Sequence, residues 1–289
     1  MTSRSGPPVR GDLAWDDHLV DELVEPVSSA TVVLVRDDPD GVGLQTLLLG
    51  RHRSSDFAAG ALVFPGGKVD ETDREVPPAH LRIGNPLRWR QLLGASDERD
   101  AVGLLVAALR ETFEEAGVLL ASRADGTPVT AADLASPSFV AARRRLAERG
   151  RPWDWRPWLE DEALVLDLGA VAMWSWWVTP KGRRKRFDTR FLVAEPPPGQ
   201  EATHDRVETT SLTWTRPQEA LAAHRRGEVS MMFPTRCNLQ ALATYRCAAE
   251  VLRAAWRGQV DRRRTEPALR RVDGHLVVQH PFRGPHESL

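Results

Sequence analysis

Three glutamates near the end of one helical stretch constrain this chain more than any other feature. Residues 97–116 repeat apolar side chains at helical spacing, with Ser96 placed to cap the start, Asp97 and Glu98 in the first turn and Gly117 as a stop. On a helical wheel, Leu105, Leu109, Thr112, Phe113 and Ala116 share one side, whereas Glu111, Glu114 and Glu115 share a separate arc of about 100°. The carboxylates are therefore expected to project together, away from the core. Like charges at these spacings repel by roughly a few tenths of a kcal/mol per pair. A divalent cation reverses that cost, and hard carboxylate oxygens suit Mg²⁺ or Mn²⁺. Mg²⁺ usually completes its octahedron with waters and substrate phosphates, so the expected ligand is a phosphate ester or anhydride. The alternative is a solvated acidic helix end.

A length of 289 residues allows one large domain or two modest ones, and 42% hydrophobic with 27% charged residues excludes a disordered, collagenous or disulfide-built chain. With 39 basic against 40 acidic residues there is no overall field to attract nucleic acid or an anionic membrane, so an anionic ligand must be held locally. Cys237 and Cys247 fall in what reads as one helix, about 15 Å apart, too far for a disulfide. The first ten residues lack an apolar leader segment and no long apolar run follows, which points to a soluble, cytoplasmic protein without a membrane partner.

After a loose stretch of about 25 residues, 30–36 and 44–51 read as strands joined by the turn-forming 37–41. A third strand, 61–64, stops at Pro65-Gly66-Gly67, where a sharp turn is available and a phosphate could be cradled. Residues 74–96 read as a surface insertion with a short helix near 87–93. Beyond Gly117, 118–121 is extended, and 131–134, 138–148 and 155–166 read as short helices. Strands follow at 170–178, 187–194 and 207–214, then a helix opened by Pro217, an apolar loop at 231–234, a long helix at 235–256 and a basic, weakly ordered tail.

The stretch Arg110-Glu111-Thr112-Phe113-Glu114-Glu115-Ala116-Gly117-Val118 resembles the second half of the Nudix box of the Nudix hydrolase family, with Thr112 replacing the usual aliphatic residue. The first half is present as Gly67, five residues, then Asp73 where the family has Glu. Between Asp73 and Arg110 lie 36 residues instead of seven, an insertion of 29 that a loop before the helix can absorb at little entropic cost. Leu47-Leu48-Leu49-Gly50-Arg51 and the 60–67 segment are similar to the coenzyme A diphosphatase branch. The chain departs from that branch at His52, where the branch has Ser or Ala, and at Asp56, where it often has a second Arg that some members with long box insertions also lack.

The resemblance implies an α/β Nudix fold, a mixed β-sheet sandwiched between α-helices, with a Nudix hydrolase domain over 28–236 and a C-terminal helix and tail over 237–289. It implies Mg²⁺- or Mn²⁺-dependent attack of water on a diphosphate, with Glu111, Glu114, Glu115 and the Gly67 carbonyl as metal ligands and Arg110 orienting the site by pairing with Asp73 or a neighbouring glutamate. Glu208 is favoured as the base over Glu201 and Asp205, with His204 nearby. Arg51, Gly66, Gly67, Arg184 and Arg186 are candidates for substrate binding. Along 170–178, Trp174 and Trp176 share one face and Trp177 the other, available either to stack an adenine or to fill the core. The expected substrate is coenzyme A or an acyl derivative. Alternatives are ADP-ribose or an NADH-like dinucleotide, or a catalytically silent nucleotide-binding module. An RNA-decapping enzyme needs a basic face interleaved with aromatics, which is not found outside the basic run 183–186 and the arginine-rich tail, so no nucleic-acid partner is expected. A homodimer is possible.

Overall fold

The computed structural model describes residues 23–41, 43–51, 61–148, 153–204, 209–272 and 275–282. Strand β1 (Val27–Asp37) sets the frame. Ala30, Val32 and Leu34 enter one core, and Val33 and Val35 enter another on the opposite face. A strand buried on both faces reads as a continuous apolar run rather than an alternation. The chain reverses at Asp38, whose carboxylate accepts the Asp40 N–H and pairs with Arg216, and returns as β2 (Leu44–Arg51). Strands β3 (Ala61–Val63) and β4 (Gly66–Lys68) follow.

The box insertion then contributes β5 (Leu81–Arg82) and α1 (Pro86–Leu93), the latter capped by Asn85 and ended by left-handed Gly94. It is less of a surface appendage than its composition implies, because Val76, Trp89 and Leu93 are buried in the core beside helix α2 (Glu98–Ala116). Asp97, rather than Ser96, caps α2 by accepting the Asp100 N–H, while the Ser96 hydroxyl donates to the Asp100 carboxylate. Gly117 ends the helix in the left-handed region, as expected.

Next come β6 (Ala121–Arg123), α3 (Ala131–Leu134), α4 (Pro137–Leu146), α5 (Arg156–Asp161) and β7 (Leu164–Asp167). The expected helix over 155–166 stops early. Ala163 has φ +48°, and beyond it Leu164 and Leu166 are fully buried with Val165 partly exposed, the two-residue period of a strand. Strands β5, β7 and β6 form a separate small sheet, so the insertion and the segment after the helix fold together over α2. Phe113 stacks on Trp158 and meets Phe139 edge-on, fastening that unit to the helix.

Strands β8 (Ala172–Val178), β9 (Phe187–Ala194) and β10 (Thr209–Thr215), helix α6 (Pro217–Arg225) and strand β11 (Ser230–Met231) lead to α7 (Phe233–Leu242) and α8 (Ala248–Arg257). The expected single helix over 235–256 is two, so Cys237 and Cys247 lie on separate sides of a break, and neither is in a disulfide. Asp37 of β1 accepts the Ala248 N–H at 2.8 Å and Gln218 donates to the Ala243 carbonyl. These tertiary caps stop one helix and start the next, and neither leaves a trace in local periodicity.

Among the described residues the main sheet runs β11-β3-β2-β1-β9-β8-β12, with β10 on β2 and β4 on β1 and with β12 being Arg264–Thr265. Its pairings are mixed: β1 is parallel to β9 and antiparallel to β2. Helix α2 covers one face, and α7 and α8 cover the other. A hairpin, β13 (Ala268–Val272) and β14 (His275–Gln279), occupies part of the expected weakly ordered tail. Position 236 lies inside α7, and Leu239, Leu242, Val251 and Ala255 share a core with Val33 and Val193 of the main sheet. Among the described residues no helix is long and apolar enough to cross a membrane.

A bulge between Met173 and Ser175 resets the alternation of β8. Trp174 and Trp177 consequently share the α7–α8 side while Trp176 faces the other, contrary to simple alternation. Trp176 lies under Arg190 and against Gly94, where a β-carbon would come within 2.2 Å of its ring.

Candidate active site

Arg110 is the centre of the constellation. Its Nε and one Nη donate to the two oxygens of Asp73 at 2.8 and 3.0 Å, and the same Nη reaches the Lys68 carbonyl at 3.0 Å. The other Nη contacts Glu111 at 2.9 Å and Glu114 at 3.5 Å. Asp73 is fully buried in a short 3-10 turn, Glu71–Glu75, and also accepts the Asp70 N–H at 2.8 Å. The inserted residues thus leave Asp73 within reach of Arg110. A planar guanidinium fork matched to a carboxylate explains why arginine suits this position. Burial pushes the Asp73 carboxyl up against the pull of Arg110, and the surrounding carboxylates hold Arg110 well above its ordinary value in spite of burial.

The glutamates do not stand out in solvent as the helical wheel implies. Glu114 and Glu115 are buried and Glu111 is largely so, because β4 packs against this part of the helix through Gly66 and Gly67. Burial is the main reason that Glu111 is raised, with Arg110 opposing it. Glu115 is driven well above the usual carboxylate range by burial and then by repulsion from Glu111, against the Gly66 N–H and the charge of Arg51. The Gly66 N–H donates to Glu115 at 2.9 Å, so it is already engaged rather than open to a phosphate.

The double glycine is needed for close approach, not for a left-handed turn. Neither Gly66 nor Gly67 has a positive φ, and both lie in β4 against β1. A β-carbon on Gly66 would fall 2.4 Å from the Thr31 hydroxyl oxygen, and one on Gly67 would fall 2.3 Å from a Glu111 carboxylate oxygen. Glu111 therefore rests where any side chain on residue 67 would be.

Among the described residues the acidic, histidine and cysteine side chains form no ready three-ligand cluster, and Arg110 and the Gly66 N–H hold the glutamates. The donor set still suits a hard divalent cation. Three mutually repelling carboxylates with oxygen donors lie beside a glycine backbone, and the one arginine among them is already engaged by Asp73.

A cavity of about 610 Å³ opens onto this cluster. Arg51, Gly66, Gly67, Arg110, Glu111, Glu114 and Glu115 line it, so these candidates come together. Its other wall is apolar, including Trp177, Phe187, Phe191, Phe233 and Val278. Arg184 and Arg186 do not line it. Arg184 is exposed, and buried Arg186 donates to the Thr179 and Val24 carbonyls and to Glu266, so it is a structural tie between chain segments and not a phosphate clamp. Glu201 and His204 line a different cavity behind α2. Asp205 and Glu208 lie outside the described residues, as do His52 and Asp56. Of the three tryptophans of β8, only Trp177 lines the carboxylate cavity. Sequence reading missed Asp70, 3.6 Å from Arg110, and Trp153, which the segment after α4 brings to the rim. An acid three residues beyond Gly67 was a usable signal; nothing local marked Trp153.

Residues 88–242, just over half of the chain, match the family model of the NUDT19 Nudix domain. The chain belongs to the Nudix hydrolase family. Among curated Nudix relatives, it is 31% identical over 229 residues to the acyl-coenzyme A diphosphatase NUDT19 of Gallus gallus, covering 66% of this chain and 58% of the relative. It is 29% identical over 238 residues to the Homo sapiens protein of the same name, covering 72% and 62%. The chain thus spans about three fifths of the length of these relatives. A solved Nudix hydrolase from Alicyclobacillus acidocaldarius is 27% identical with a TM-score of 0.66, over 80% of this chain and 96% of that one. The mixed sheet between helix layers is accordingly the α/β Nudix fold.

Proposed function

We propose that this Nudix protein is a Mg²⁺- or Mn²⁺-dependent hydrolase that cleaves the diphosphate of coenzyme A or an acyl derivative. The observation that carries the reading is the cavity itself, with three glutamates and Arg110 at one end and aromatic and aliphatic side chains along the other wall. A diphosphate joined to a long, weakly polar arm matches both ends. The names of the NUDT19 relatives support the same substrate class.

Glu111, Glu114, Glu115 and the Gly67 carbonyl would hold the metal, which when bound supplies charge stabilisation at phosphorus and a more acidic water. The remaining work falls to the chain. Asp73 fixes Arg110, and Arg110 in turn holds Glu111 and Glu114 on the side of the helix that faces the cavity. The Gly66 N–H orients Glu115. Arg51, on the cavity wall, balances the charge of the diphosphate. The apolar wall receives the pantetheine or acyl arm and excludes water from around it. Glu208 is the proposed base, to be compared as Glu208→Gln with Glu201→Gln and Asp205→Asn.

The test is cleavage of coenzyme A, acetyl-coenzyme A, ADP-ribose, NADH and a capped RNA, with Mg²⁺, Mn²⁺ or chelator, and with products identified by mass. Metal-dependent release of 3′,5′-ADP and a phosphopantetheine is the expected result. AMP from ADP-ribose alone would move the substrate, and nucleotide binding without cleavage would make the protein a silent module.

A further inference from the structure

The last turn of α2 ends in the carbonyls of residues 113–116, of which the final three have no i+4 N–H in the helix to accept, and each of the four has an identifiable partner. The Phe113 carbonyl accepts the Gly117 N–H at 2.9 Å, and the Ala116 carbonyl accepts the Thr203 N–H at 2.8 Å. The two between them belong to Glu114 and Glu115. Both are taken by one side chain from outside the helix: Arg143 of α4 donates from Nε to Glu114 at 2.9 Å and from an Nη to Glu115 at 3.1 Å. The same guanidinium reaches the Thr203 hydroxyl at 2.6 Å and the Thr203 carbonyl. Gly117 leaves the space for this arrangement, since a β-carbon there would lie 2.7 Å from an Arg143 nitrogen and 2.8 Å from the Thr203 hydroxyl.

We infer that Arg143 is a positioning residue for Glu114 and Glu115, which rests on the metal-binding role proposed above for those two carboxylates. The last turn of a helix is where fraying begins, and here that turn carries two of the three glutamates. A cation that bonds their backbone carbonyls fixes the origin of both side chains without touching the cavity, and it also offsets the negative end of the helix dipole. Glu111, a full turn earlier, is held within the helix and by Arg110 and does not depend on this clamp. Arg143 belongs to the segment between α2 and β8, so the added unit over the helix contributes to the site from behind.

The experiment is Mn²⁺ binding to the full chain, followed by electron paramagnetic resonance without substrate, in wild type, Arg143→Ala, Arg143→Lys and Arg144→Ala. Hydrogen exchange of the peptide covering 110–118 is measured in parallel. Arg143→Ala is expected to raise the Mn²⁺ dissociation constant about ten-fold or more, as loss of a group that orients a metal ligand does. Faster exchange should appear in that peptide, with partial recovery in Arg143→Lys and wild-type behaviour in Arg144→Ala. Gly117→Ala, which pushes the guanidinium aside, should weaken Mn²⁺ in the same way and serves if Arg143→Ala does not fold. Wild-type binding with an unchanged constant in a folded Arg143→Ala protein overturns the positioning role alone. Wild-type protein that binds no Mn²⁺ overturns the metal reading and this inference with it.

Discussion

Replacing Asp73 with asparagine tests whether the interrupted box is still held together by its buried ion pair. Asp73 has no exposed surface and accepts two bonds from Arg110 and one from the Asp70 N–H. Removing one partner of a buried pair costs about 3–5 kcal/mol because the other charge stays buried. The asparagine side chain would keep the shape and one acceptor, and Arg110 would retain Glu111 and Glu114, so Asp73→Asn belongs at the low end, about 3 kcal/mol. Arg110→Met strands Asp73 and removes the cation from among the glutamates, which places it near about 5 kcal/mol. For a chain of this size each kcal/mol shifts the midpoint by about 2–4 °C, so Asp73→Asn should lower it by about 6–12 °C. The assay is urea and thermal unfolding with chelator present, read from tryptophan fluorescence. In the double variant the cost should be close to that of Arg110→Met alone, a coupling of about 2–3 kcal/mol. Additive single effects, or a loss below about 1 kcal/mol for Asp73→Asn, would refute the claim that this pair organises the site.

Gly94→Ala should destabilise by at least about 1–2 kcal/mol, since φ there is +57° and the new methyl meets the Trp176 ring; a neutral result in urea unfolding would show that α1 is not packed on β8. Asp133 caps α3 through Thr130 and pairs with Arg123, and hydrogen bonds from Thr130 first, then Arg123, hold its carboxyl down to about 2. Because the folded value is lowered, its stabilisation is complete above about pH 4 and is lost as pH falls through about 2. Asp133→Asn should therefore cost about 1 kcal/mol at pH 7, and its gap from wild type should narrow between pH 4 and 2 in unfolding titrations. Asp73→Glu restores the family residue but adds a methylene to a fully buried side chain, and should lower stability by about 1–3 kcal/mol in the same assay.

Helix α2 was legible because its signals are local: the apolar spacing of 105–116, acidic residues at its start and a glycine stop are all within one segment, although the cap is Asp97 and not Ser96. Strand β2 was legible from its leucine-rich run, and β9 from the apolar residues 191–194 that end it. The pairing of Arg110 with Asp73 was readable from the resemblance, although the residues are 37 apart in sequence. What local pattern could not carry was tertiary. Asp37 starts α8 from across the core, so a continuous apolar period at 235–256 concealed a break. One extra residue at Trp174 turned the remaining β8 side chains over, which alternation cannot foresee without the partner strand. Arg186 looked like a free member of a basic run, but Glu266, 80 residues later, takes its charge. The buried state of Glu115 likewise involves Gly66, 49 residues earlier in the chain, which no local pattern in the helix reveals.

The account stands on the claim that the buried glutamates hold the metal on which hydrolysis depends, and Glu115→Gln addresses it most directly. Glutamine is close in shape to the protonated acid, the form that burial and Glu111 favour at this position in the metal-free protein. With chelator present, Glu115→Gln should unfold at or above the wild-type midpoint. In Mg²⁺ titrations on coenzyme A, wild type should lose activity with chelator and regain it with metal, whereas Glu115→Gln should show almost none at any concentration. A folded Glu115→Gln protein that turns over coenzyme A at the wild-type rate in limiting Mg²⁺ would contradict the assignment of these carboxylates.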